Sequence, residues 1–171
     1  YRVCLWSRLA SRVVLVLGHI GARDADALYE GLAAIAWEEH LSQGATLAVD
    51  ARGTNDRLKS TQFVALRSKD AIVDRLLAKR GSRPSVNVAR PDVRVMVRVS
   101  HERAMVGIDL SGEPLFRRGY ESPGGSRRVP RTPLRSDYAA ALLAEGGWYR
   151  QVRHGHASLV SAFPGAGSIL T

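Results

Sequence analysis

The stretch Val93-Arg94-Val95-Met96-Val97-Arg98-Val99 decides the fold. Valine stands at every second place, and an arginine or methionine fills each gap. Side chains of a strand point alternately to opposite faces, so the pattern predicts a strand with one apolar face and one mixed face. A short polar turn, Ser100 to Arg103, follows. Ala104, Val106, Ile108 and Leu110 then alternate again, which predicts a hairpin.

Upstream, a loop is expected from Ser82 to Pro91. Before it the spacing predicts a long helix from about Leu58 to Lys79, with Phe63, Leu66, Val73, Leu76 and Leu77 as its inner stripe. Gly81 and Pro84 stop it. Lys69 and Asp70 within it read as an exposed pair. Thr46 to Ala51 alternates and predicts a strand. Asp24 to Ala36 predicts a helix: Asp24 and Asp26 place negative charge in its first turn, and Leu28, Leu32 and Ile35 share a face. Val13 to Leu17 reads as a buried strand. Tyr1 to Ser11 reads as a helix carrying Val3, Leu5, Trp6 and Leu9. Helices that alternate with strands and end on a hairpin place the first ~112 residues in a mixed α/β (α+β) domain.

Downstream, Leu115 to Arg135 is rich in arginine, proline and glycine and reads as a basic linker. Thr132 to Trp148 predicts a further helix, and Tyr149 to Thr171 a tail with a glycine-rich end. With Tyr1 and not Met at its head, the chain reads as a fragment or mature form lacking its true N-terminus.

The charge narrows the function. The chain of 171 residues carries a net charge of +9 and a pI near 10.6. Such an excess favours a polyanion, of which nucleic acid is the commonest. The 45% apolar content is that of an ordinary globular protein. No apolar run approaches the ~20 residues that span a bilayer, so no membrane partner is expected. The lone Cys4 excludes an intrachain disulfide and a thiolate metal cluster, and a reducing, cytoplasmic setting fits it.

The blocks Leu5-Trp6-Ser7-Arg8-Leu9-Ala10-Ser11-Arg12, Gly53-Thr54-Asn55-Asp56, Ser60-Thr61-Gln62-Phe63 and Lys69-Asp70-Ala71-Ile72-Val73-Asp74 add a further clue. With Pro91-Asp92-Val93-Arg94-Val95, Ile108-Asp109-Leu110-Ser111-Gly112 and Arg117-Arg118-Gly119-Tyr120, they resemble, in order, the THUMP domain of bacterial large-subunit ribosomal RNA guanine-N2 methyltransferases. The resemblance implies a remnant of a ferredoxin-like region over residues 1–20 and a THUMP domain over 21–112, a mixed sheet flanked by helices. It implies a basic linker over 113–131 and the truncated start of a Rossmann-like methyltransferase domain over 132–171. It also implies 23S ribosomal RNA as partner. S-adenosylmethionine would serve the parent enzyme, with no cofactor for this chain alone. Gly165 and Gly167 resemble what is left of the family's cofactor loop. The acidic residue and the cysteine of that loop are missing, and so is the family's catalytic Asn-Pro-Pro-Tyr-type loop. No catalytic residue is therefore assigned.

Candidate RNA-binding residues follow from charge and placement. Arg52, Asn55, Arg57 and Lys59 cluster between the second strand and the long helix, in reach of phosphate or 2′-hydroxyl groups. The same reading allows Asn55 or Asp56 to be a helix cap. Arg94 and Arg98 share a strand face and form a candidate RNA-facing strip, or an exposed sheet face. Arg117 and Arg118, with Arg127, Arg128, Arg131 and Arg135 of the linker, would each neutralise a phosphate and make binding salt-sensitive. The linker reads equally as a solvated tether. His154 and His156 lack further ligands for a metal. Trp6, Tyr29, Trp37 and Phe63 read as core and not as a base-stacking platform. Two other readings stand beside the RNA-binding module. A complete small enzyme would need a cofactor pocket from the last ~35 residues, which are too few. A nonfunctional fragment would leave apolar surface near Trp6 and Leu9 uncovered.

Overall fold

The computed structural model describes residues 1–117, 134–155 and 158–160. It divides into two compact units, Val14–Gly112 and Tyr1–Val13 together with Glu113–Thr171.

The first unit is a four-stranded sheet with two helices on one face. Its elements are β1 (Val14–Gly21), α2 (Ala25–Ala34), a 3-10 turn (Trp37–Glu39), β2 (Leu47–Arg52), α3 (Thr61–Arg80), β3 (Val93–Ser100) and β4 (Arg103–Asp109). The strand order is β1-β4-β3-β2. β2 runs parallel to β3, while β4 is antiparallel to both β3 and β1. Strands β1, β2 and β3 therefore point the same way, and their carboxyl ends lie along one edge.

The hairpin stands as the alternation predicts. Val95, Val97, Val99, Ala104 and Val106 are buried, each valine contributing roughly 1.5–3 kcal/mol by its removal from water. They pack against Leu28 and Leu32 of α2 and Val64, Ala71, Ile72 and Leu76 of α3. Asp24 caps α2 by accepting from the Ala27 amide at 2.8 Å. The fully buried Trp37 donates its indole N–H to the Leu32 carbonyl at 2.8 Å, closing the turn below α2.

α3 holds this turn from the other side. The Arg75 guanidinium donates to both Glu38 carboxylate oxygens, at 2.7 and 3.0 Å, and to the Ala33 carbonyl. Arg80 donates to the Glu38 and Leu41 carbonyls. Tyr29 donates its hydroxyl to Asp74 at 2.8 Å, and Arg67 lies 4.3 Å over its ring. Where β2 and β3 begin, Asp92 accepts from the Thr46 amide and hydroxyl, and its own amide donates back to the Thr46 hydroxyl. This reciprocal lock accounts for an aspartate ahead of Val93. The Thr46 amide and hydroxyl hold the Asp92 carboxyl below its ordinary range.

Several expectations are corrected by this unit. α3 buries Val64, Ser68, Ala71, Ile72 and Leu76, so its inner face is rotated from the expected stripe. Of that stripe only Leu76 is buried. Phe63 and Leu66 are 48% and 50% exposed, and Phe63 is not core. Ser60 is the cap of α3, accepting from the Phe63 amide, so neither Asn55 nor Asp56 caps it. β1 is an edge strand with Leu15 and Val16 half exposed, so it is not buried throughout.

The second unit contains α1 (Arg2–Trp6), α4 (Ser136–Glu145) and α5 (Trp148–Arg153). α1 is shorter than the predicted Tyr1–Ser11 helix. Trp6 is 80% exposed and so is not core. The helix expected over Thr132–Trp148 is the shorter α4, and Gly147 at φ +77° separates it from α5, which lies where a tail was expected. The Leu115 amide donates to the Ser11 carbonyl at 2.8 Å. Arg135 pairs with the buried Asp137 at 2.6 Å and lies 4.1 Å over the Phe116 ring. No helix among the described residues is long and apolar enough to cross a membrane.

Candidate nucleic-acid interface

α2 and α3 cover one face of the sheet, and the other face carries the alternate side chains. The strand registers place these in rows. Arg52 of β2 pairs with Arg98 of β3, Arg98 with Met105 of β4, and Met105 with His19 of β1. Arg52, Arg98 and His19 are exposed. Arg103, one step along β4 on the same face, is exposed too. The row keeps its facing because β1 bulges between Val16 and Gly18. Leu17, the extra residue, packs against the core, and His19 returns to the open face.

Arg52 and Arg98 come from places 46 residues apart in the chain and end side by side on neighbouring strands, ~4.8 Å apart. Neither has a carboxylate partner among the described residues. Like charges placed opposite each other destabilise a sheet by about 0.2–1 kcal/mol.

Arg94 behaves differently, although it lies on the same strand face. It donates to Asp50 at 2.9 Å and to the Val88 carbonyl at 3.0 Å, and its side chain is only 18% exposed. The expected Arg94–Arg98 strip is therefore replaced by an Arg52–Arg98 pair. His19 and Arg103 share this face through strand pairing alone: in the sequence Arg103 stands in the polar turn Ser100 to Arg103, and nothing local marks His19.

At the carboxyl edge of the parallel strands a cleft of about 810 Å³ opens. Its lining comes from the segment after β1 (Arg23, Asp24), the loop after β2 (Thr54, Asn55, Asp56, Arg57), the end of β3 (Val99, Ser100) and the β3–β4 turn (His101, Glu102). Open α/β sheets generally present their ligand crevices at this edge. Of the expected cluster Arg52, Asn55, Arg57 and Lys59, Asn55 and Arg57 line this concavity, and Arg52 and Lys59 are not part of its lining. Arg52, Arg57 and Lys59 are exposed.

Asn55 is engaged internally. Its side-chain N–H groups donate to the carbonyls of Ala22 and His101, each at 2.7 Å. Its side-chain oxygen accepts from the amides of Leu58 at 2.7 Å and Arg57 at 3.1 Å. An asparagine side chain has two donors and two acceptor sites, so its capacity is filled. It holds the loop and does not reach outward.

Arg117 is exposed and belongs to the second unit. Arg118, Arg127, Arg128, Arg131, His156, Gly165 and Gly167 lie outside the described residues. Arg135, counted with the linker cations, is occupied by Asp137. Among the described residues no cluster of three or more His, Cys, Asp or Glu side chains could hold a metal ion.

The two-layer α/β body presents Arg52, Arg98 and Arg103, all exposed, on the sheet face away from its helices. Residues 22–109, just over half the chain, match the THUMP domain. The chain belongs to the THUMP family, whose domains are RNA-binding modules. It is 42% identical over 170 residues to the ribosomal RNA large subunit methyltransferase K/L of Marinomonas sp., a match covering 99% of this chain and 23% of that protein. It is similar in structure to a Listeria monocytogenes protein described as a predicted N6-adenine-specific DNA methylase (TM-score 0.70, 30% identity, 84% of this chain and 36% of that one). A third likeness is to SMU.472, described as a methyltransferase and complexed with SAH (TM-score 0.66, 26% identity, 82% of this chain and 37% of that one). The chain thus spans about a quarter of the length of the curated relative and over a third of the two structures.

Proposed function

We propose that this chain grips folded 23S ribosomal RNA and presents it to the methyl-transferring part of an S-adenosylmethionine-dependent guanine-N2 methyltransferase. The observation that carries the reading is the exposed Arg52–Arg98 pair, two cations without a carboxylate partner among the described residues, fixed side by side on the sheet face away from the helices. Phosphates of an RNA backbone supply the missing counter-charge, with release of condensed counterions. Arg103, Arg57 and Lys59 extend the positive surface toward the cleft, and Arg117 and Arg118 belong to the same reading. Met105, between Arg98 and His19, offers apolar contact to ribose. Such a face reads the shape and sugar-phosphate outline of an RNA helix and not its bases. In this reading residues 21–112 bind, 113–131 connect, and 132–171 lead toward the catalytic part, which holds the cofactor. A base-modifying enzyme must swing its target out of the stack, and a separate grip on the flanking RNA keeps the helix in place while it does so.

The test is fluorescence titration of the purified chain into a labelled 23S ribosomal RNA hairpin at low and moderate salt. Saturable binding that weakens steeply with salt is expected. Absence of binding at low ionic strength overturns the proposal.

A further inference from the structure

The Gly53-Thr54-Asn55-Asp56 block invites a role that charge alone does not describe. Gly53 stands at φ +78°, and a Cβ there would fall 2.0 Å from the Val99 carbonyl oxygen. The loop after β2 is thus pressed onto the end of β3 at a point only glycine fits. Two residues on, Asn55 ties three separate segments together. It donates to Ala22 at the end of β1 and to His101 in the β3–β4 turn, and it accepts from the Arg57 and Leu58 amides of its own loop. His101 is the one non-glycine residue at positive φ among the described residues, at +53°. A strained turn of this kind persists where its surroundings hold it, and the bond from Asn55 to its carbonyl does so. The same three segments line the cleft and carry Arg23, Arg57 and His101.

We propose that Asn55, with Gly53 behind it, is a positioning residue: it sets the cleft's shape and holds Arg57 where it meets an RNA phosphate. The proposal rests on the RNA-binding reading above. Asn55 touches no RNA itself. It acts through Arg57, whose amide it accepts and whose side chain is exposed. Replacing its amide by a carboxylate turns two donors into acceptors facing two carbonyl oxygens at 2.7 Å. The loop must then leave the edge and carry Arg57 with it.

The experiment is a double-mutant cycle on the whole chain, with a fluorescently labelled ribosomal RNA hairpin as probe. Arg57→Ala removes one phosphate contact and should weaken binding roughly fivefold to tenfold at 0.1 M salt. Asn55→Asp should weaken it by at least as much while unfolding stays cooperative. In the Arg57→Ala background Asn55→Asp should cost less than about twofold, because both changes remove the same contact. A residue that merely stabilised the fold would cost as much in either background. Additive losses, or an Asn55→Asp protein that binds like the unmodified one, overturn the proposal while the RNA-binding reading stands. An unmodified chain that ignores the hairpin overturns both. Should the aspartate prevent folding, Asn55→Ser enters the same cycle. It keeps an acceptor for the Leu58 amide but cannot reach both carbonyls, and the same two outcomes decide.

Discussion

Removing Arg52 and Arg98 together should do two opposite things: weaken RNA binding and slightly strengthen the fold. The two side chains are register partners on β2 and β3, both exposed, with no carboxylate beside them among the described residues. Each phosphate contact contributes about 0.7–0.9 to the slope of log K against log salt. The double variant R52A/R98A should therefore lose about 1.4–1.8 of slope. Over a fourfold rise in salt, from about 50 to 200 mM, that slope is worth roughly tenfold in affinity. The unmodified chain's advantage should shrink by that factor across the range. Thermal unfolding of the free protein should shift the other way, because relief of a like-charge cross-strand pair returns about 0.2–1 kcal/mol. Fluorescence anisotropy at several salt concentrations, with calorimetry of the free proteins, reads both. Parallel salt lines for the two proteins would refute the phosphate assignment. A double variant less stable than its parent would show that the arginines serve the fold.

Ser68 is fully buried on α3, and its hydroxyl has no partner among the described residues. Ser68→Ala should raise stability by about 1 kcal/mol in chemical denaturation, since it deletes an unpaired buried polar group and favours helix. Trp37→Phe should lower stability by about 2 kcal/mol, by leaving a gap in the core and removing the indole bond to the Leu32 carbonyl, which still accepts from the Ile35 amide. Loss of less than half that would mean the turn is held elsewhere. The hydrogen bonds from Arg75 hold the Glu38 carboxyl down at about 2. A lowered carboxylate value means stabilisation present at neutral pH and lost as pH falls from the ordinary range, about 4.3, through about 2. Thermal unfolding of Glu38→Gln should therefore lie below that of the unmodified chain at pH 7, and the gap should close toward pH 2. A gap that stays constant with pH would refute the pairing.

Much of the fold was written in local patterns. Valine at every second position from Val93 to Val99 admits one reading, because only a strand puts those side chains on one face. The stop at Gly81 needs only local chemistry too. Asp24 was legible as a favourable charge at the start of α2, and the structure makes it the cap. The inner face of α3 was not legible. Phe63, Leu66, Val73, Leu76 and Leu77 make one apolar stripe, and Val64, Ala71 and Ile72 make another beside it that overlaps the first at Val73 and Leu76. Which one turns inward depends on where α2 and β2 lie, and the helix's own periodicity holds no record of that.

The candidate interface divides in the same way. Its positive charge, the glycine-led loop after β2 and the separate arginines are properties of the chain read in order. That Arg52 stands beside Arg98 while Arg94 is tied to Asp50 depends on how β2 and β3 align across the helix between them. Asn55 finds its carbonyl partners 33 and 46 residues away. Hydrogen bonds and like-charge contacts act over a few ångströms of space, whatever the separation along the chain. Local sequence therefore determined the elements, and only tertiary packing decided which cations remain free to meet a polyanion.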